Sequence, residues 1–101
     1  MFTYTQDQLE GWKKEYGDGN VFEVVAGDKK AILHKPRRQD ISYASAGSNR
    51  AQDSIKYTEI ILKQCWIDGD REIIDNDDYF FAVVPVLEAL VETKEAEIKK
   101  L

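Results

Sequence analysis

The chain has one cysteine, one histidine, two prolines and no long uncharged apolar run. Each shortage closes off a class of protein. A single cysteine, Cys65, excludes a disulfide framework within the chain, and its apolar neighbours Leu62, Trp66 and Ile67 make a buried thiol the expected state. A membrane-spanning helix needs about eighteen or more consecutive apolar residues, and none occurs. The first residues, Met1-Phe2-Thr3-Tyr4-Thr5-Gln6-Asp7, lack the basic and apolar regions of a signal peptide, so a cytoplasmic protein is expected. A basic excess is also missing. The formal charge is −5, and the acids concentrate beyond Ile67, whereas Arg37, Arg38, Arg50, Lys56 and Lys63 are spread over a helical region. Such a distribution offers nucleic acid no concentrated footprint and would repel a phosphate backbone.

What remains is a globular balance, 43% hydrophobic and 33% charged in 101 residues. A chain of this length supports one core and stays marginally stable, so most of its Ile, Leu, Val and Phe side chains are needed inside it. Residues 1–101 are therefore read as a single domain, with 1–36 a helix plus hairpin, 37–101 a helical part, and a flexible linker near 47–52.

Thr5 and Gln8 have the spacing of a capping box, and Leu9, Trp12, Lys13 and Tyr16 recur at helical intervals up to Gly17, a candidate left-handed terminator. Val21–Val25 and Lys30–Lys35 flank Ala26-Gly27-Asp28-Lys29 and predict an antiparallel β-hairpin, which is marginal alone and requires a helical cover. Pro36 ends the second strand because it cannot donate to a ladder. A short helix through Ile41, Tyr43, Ala44 and Ala46 is expected to stop at Gly47. Asp53 is placed to cap a helix running from Ile55 to Trp66. The segment Ile67-Asp68-Gly69-Asp70 breaks that helix, and Glu72-Ile73-Ile74 bridges to another starting at Asp75 or Asn76. In this last helix Phe80, Val83, Leu87, Leu90 and Val91 share one side, with Ile98 and Leu101 extending the stripe. Pro85 interrupts it and predicts a kink or two abutting helices. The fold class is α+β: an N-terminal helix, a small antiparallel hairpin and a mainly helical C-terminal part.

Chemistry is sparse. The acidic run Asp68, Asp70, Glu72, Asp75, Asp77, Asp78 fits neither register of a calcium loop: starting at Asp68 puts Ile73 at the glycine position and Tyr79 at the bidentate acid, and starting at Asp70 puts Asp75 and Phe81 there. A solvated loop leading into a helix N-terminus is the expectation. A zinc site would have to combine His34 with Cys65 and two carboxylates, and His34 is instead expected to pack or face water. As a general base His34 has no evident nucleophile, since no strand-turn-helix elbow surrounds Ser42, Ser45, Ser48 or Ser54. Arg37 and Arg38 are read as solvated, bridging to Asp40 or to the acidic C-terminal region, or meeting a carboxylate on a partner. No catalytic residue, cofactor or metal site is expected.

The sequence Lys35-Pro36-Arg37-Arg38-Gln39-Asp40-Ile41 after the hairpin, the helix ending Leu62-Lys63-Gln64-Cys65-Trp66-Ile67-Asp68-Gly69-Asp70, and the acid-capped last helix together resemble the small tail assembly chaperones of long-tailed bacteriophages and prophages. The resemblance covers about residues 22 to 92, and the helix around Trp12 departs from it. It extends to small uncharacterised gut-bacterial proteins of prophage origin. It implies a non-enzymatic interaction module that oligomerises or binds phage tail proteins, the tape measure protein and tail tube subunit, holding an aggregation-prone helical client. Tyr57, Ile61, Trp66, Phe80 and Phe81 are then the contact candidates, with Arg37 and Arg38 steering an acidic segment. The alternatives are a small structural or regulatory module with a fully closed core, and a metal-dependent enzyme in which His34 converges with carboxylates.

Overall fold

The computed structural model describes residues 2–48, 53–91 and 96–101. Its order is α1 (Gln6–Tyr16), β1 (Val21–Ala26), β2 (Lys29–His34), α2 (Arg38–Ser48), α3 (Ser54–Cys65), β3 (Trp66–Gly69), α4 (Glu72–Asp75) and α5 (Asp77–Leu90). The expected α+β architecture is present, with the N-terminal helix and hairpin followed by a mainly helical part packed as one domain.

The hairpin pairs Val21 with His34 through Ala26 with Lys29, and Gly27 takes a φ of 59° at the first turn position, as the tight hairpin turns require. It is not alone. Residues 66–69, expected as a helix end and a break, form a third strand antiparallel to β2, giving the order β1-β2-β3. Ala31 faces Gly69, Ile32 faces Asp68 and Leu33 faces Trp66, so Ile67 is an extra residue that bulges the strand. Gly69 lets β3 approach this closely: a Cβ there would stand 2.6 Å from the Ala31 Cα. Asp70 locks the end of the ladder, its Oδ2 accepting the backbone N–H of Lys30 and of Phe2, both at 3.0 Å.

Being central, β2 is buried on both faces, which explains the unbroken run Ala31-Ile32-Leu33-His34. Val24, Ala26, Ala31 and Leu33 join Ile61, Leu62, Cys65, Ile73, Phe80, Val83 and Leu87 in the main core. The face carrying Glu23, Ile32 and His34 meets the N-terminal segment: Tyr4 donates its hydroxyl to Glu23 at 2.9 Å and Tyr16 stacks on His34 at 4.9 Å. The Thr5–Gln8 capping box forms in both directions, yet α1 has no fully buried residue and rests on the sheet through partly covered Trp12 and Tyr16. Gly17 takes a positive φ of 100°, but its ψ of 140° lies outside the left-handed helical region expected for it.

Other expectations are corrected or narrowed. Gly47 does not stop α2, which continues to Ser48; a Cβ at this position would sit 3.0 Å from Ile60 Cδ1, so the glycine brings α2 close to α3. Of the linker expected over 47–52, residues 47 and 48 are helical and 49–52 lie outside the described residues. Of the two readings for Pro85, one kinked helix or two abutting ones, the second is excluded, since a single helix runs through it from the Asn76 cap to Leu90. The stripe does not reach the C-terminus as a helix: residues 96–101 have no regular secondary structure, and Ile98 and Leu101 are fully exposed. Among the described residues, no helix is long and apolar enough to cross a membrane.

Candidate functional site

Three element ends converge beside the sheet: the last residue of β2 brings His34, the first turn of α2 brings Asp40, and the last residue of α3 brings Cys65. One ligand-type atom from each lies within 4.8 Å of the other two, and the residues are 3%, 1% and 0% exposed. Among the described residues this is the one such group of three or more potential metal-binding side chains.

Pro36 and Arg37 carry the chain from β2 into α2, so His34 and Asp40 are held close by a short connection. Asp40 accepts the Arg37 backbone N–H at 2.9 Å and the Arg37 Nε at 3.3 Å, both on Oδ2. The bridge considered for Arg37 is therefore present, and it compensates a buried carboxylate that would otherwise be costly. His34 Nδ1 lies 3.0 Å from the Lys35 carbonyl oxygen and Nε2 lies 3.0 Å from that of Gln64. The imidazole packs rather than facing water, clamped between two carbonyls and covered by Tyr16. α3 ends at Cys65 because Trp66 turns extended to start β3, leaving the thiol inside the core. Burial, the largest cause, together with the nearby Asp40 carboxylate pushes its pKa up to about 12, against a smaller opposing effect of Arg37. A thiol so held is not a nucleophile near neutral pH.

The zinc inventory weighed from the sequence is thus assembled less one carboxylate. Sequence reasoning named His34 and Cys65 but had no signal for Asp40 as their neighbour, because the approach of α3's end to α2's start is a tertiary fact. The acidic run does not gather into a comparable group. Asp70 closes the sheet, Glu72 pairs with Lys29 at 3.4 Å, and Asp77 and Asp78 occupy the first turn of α5. Backbone N–H donors from Lys30 and Phe2 hold the Asp70 carboxyl below the usual range.

A second feature is the outside of α5. Its inner side buries Phe80, Val83 and Leu87, while Phe81, Ala82, Pro85, Val86 and Ala89 are exposed. Those five follow the pattern i, i+1, i+4, i+5, i+8, so they form one apolar stripe along the solvent side of the helix. Phe81 is 54% and Val86 44% exposed. Beside it, between α3 and α5, lies a groove of about 210 Å³ bordered by Tyr57, Thr58, Ile61, Leu87, Glu88 and Val91.

The contact candidates named from the sequence are scattered by the fold. Ile61 and Phe80 belong to the core, Tyr57 is buried beside the groove, and Trp66 is half-buried with Arg71 5.8 Å from its ring centre. Phe81 is on the exposed stripe, and Arg37 and Arg38 are exposed at the start of α2. The stripe's other members, Ala82, Pro85, Val86 and Ala89, were not singled out, although their spacing in a helix known to bury Phe80, Val83 and Leu87 was legible. Compared with protein-family models, with curated proteins and with solved structures, the chain matches none.

Proposed function

We propose that this chain is a non-enzymatic protein-interaction module that uses the outer face of α5 to cover an apolar helical segment of a client. The observation that carries this reading is the stripe Phe81, Ala82, Pro85, Val86, Ala89, which lies on a helix already anchored by its opposite side. A surface helix ordinarily turns polar residues outward, and an apolar outer face is the pattern by which helices dock into one another. Ala82, Pro85 and Ala89 are small enough to let a partner helix come close, with Phe81 and Val86 as the larger anchors. Glu88 borders the stripe and Asp78 precedes it, which gives a charged margin.

The resemblance to phage tail assembly chaperones supplies the class of client: a tail protein with aggregation-prone helices, held in the cytoplasm until assembly. Arg37 and Arg38 lie on another element, and in this reading they steer an acidic part of the same client. Neither a membrane nor nucleic acid is its partner. The buried, proton-holding Cys65 and the carbonyl-clamped His34 support a binding role over nucleophilic catalysis.

The test is a light-scattering assay with an aggregating helical fragment of a tape measure protein. Wild-type protein at equal concentration is expected to keep the fragment in solution, and the double variant Phe81→Glu/Val86→Glu is expected to lose that effect with its own melting temperature unchanged. Wild-type protein without effect, or a double variant as effective as wild type, would contradict the reading.

A further inference from the structure

We propose that His34, Asp40 and Cys65 form a binding site for one divalent transition-metal ion of the zinc class. Three side chains from three different elements bring donor atoms of nitrogen, oxygen and sulfur within 4.8 Å of one another, and all three residues are buried. This donor set favours zinc or cobalt over magnesium or calcium, which prefer oxygen ligands throughout. Zinc-class bonds of ~2.0–2.3 Å place neighbouring ligands roughly 3.4 Å apart, so loading asks the widest separation to close by at most about 1.4 Å.

The surroundings already have the form that holds metal ligands in place. A ligating histidine normally gives its other ring N–H to a carbonyl, and His34 has one at each nitrogen: whichever nitrogen takes the metal exchanges one carbonyl and keeps the other. The backbone and side chain of Arg37 both hold Asp40 through Oδ2, so these two bonds do not engage its Oδ1. Loading forms a metal–sulfur bond and breaks the Cys65 S–H bond, with the proton leaving to solvent. Thiolate and carboxylate then balance the two charges of the ion, the condition for holding it away from water. Three protein ligands leave a fourth position. A groove of about 160 Å³ bordered by Tyr16, Asn20, His34, Lys35, Pro36 and Arg37 touches the site at His34.

Having one cysteine and one histidine makes the test direct. Reduced full-length protein is titrated with cobalt(II), following near-ultraviolet absorption and the imidazole proton resonances. A thiolate-to-cobalt charge-transfer band that saturates at one ion per chain, with imidazole resonances shifted in step and both reversed by zinc, is the expected result. The band can arise only from Cys65, and the resonances only from His34. Cys65→Ser removes the band, and Asp40→Asn weakens binding at least tenfold. If either variant fails to fold, the wild-type spectra still decide. Cobalt that produces no band, or a band with unmoved imidazole resonances, overturns the site. So does a melting temperature that falls with metal, because that marks binding to the unfolded chain.

Discussion

Gly69 has a φ of 149° and stands against the backbone of β2, with the Lys30 carbonyl oxygen and the Ala31 Cα both under 3 Å from where a Cβ would be. Backbone atoms cannot swing aside as the end of a flexible side chain can. Gly69→Ala is therefore expected to destabilise the fold by about 2 kcal/mol or more, read from urea unfolding. Gly19→Ala is the comparison, since nothing lies within 4 Å of its Cβ position and only its φ of 88° resists substitution. Cys65 gives a prediction of the opposite pH sense to a carboxylate. Its folded pKa is raised from 9.0 to about 12, so the folded state favours the protonated thiol. That contribution is complete below pH 9 and is lost as pH rises from about 9 towards 12. Cys65→Ala should flatten this alkaline decline, measured as urea midpoint against pH. Cys65 was legible as a buried thiol from its apolar neighbours, but Asp40 and His34 beside it were not, because no local pattern brings a strand end, a helix start and a helix end together.

Among the described helices, the one least secured by burial is α1. Its capping box satisfies two end groups, but no side chain of the helix is fully buried. Thr5→Ala should weaken the helix by about 1 kcal/mol. The expected signature is faster amide exchange across α1, with little change in the exchange of β2, since a loosely covered helix opens without the whole fold. At the other end of the sheet, Asp70 ties β2 and the N-terminal segment together through two backbone amides. These bonds favour the carboxylate, so the folded pKa is depressed. The stability they give is present above the unfolded carboxyl pKa and is lost as pH falls through the lower folded value. Asp70→Asn should be less stable than wild type at neutral pH and should lose less on acidification. Helix starts at Thr5, Asp53 and Asn76 were legible because a cap is a local chemical arrangement. β3 was not: four residues following a helix without a break, ending in Asp-Gly, have the composition of a turn and become a strand only by pairing with β2.

For the whole molecule, the two sides of α5 separate folding from association. Phe80→Ala removes a core ring and should cost about 3–5 kcal/mol. Phe81→Glu/Val86→Glu alters exposed positions and should leave stability within about 0.5 kcal/mol per site. If the stripe also joins copies of the chain, sedimentation will show wild type heavier than the double variant at the same concentration.

Composition, periodicity and caps alone determined that one small core would be built from a hairpin and helices, because those features act over a few residues. They also placed Phe80, Val83 and Leu87 on a single side of a helix. Tertiary structure alone decided that residues 66–69 complete the sheet and that α5 continues through Pro85. It also decided that His34 meets Asp40 and Cys65. Each of these depends on which distant segments become neighbours, and the free energy of that choice lies in packing shared across the whole core rather than in any run of adjacent residues.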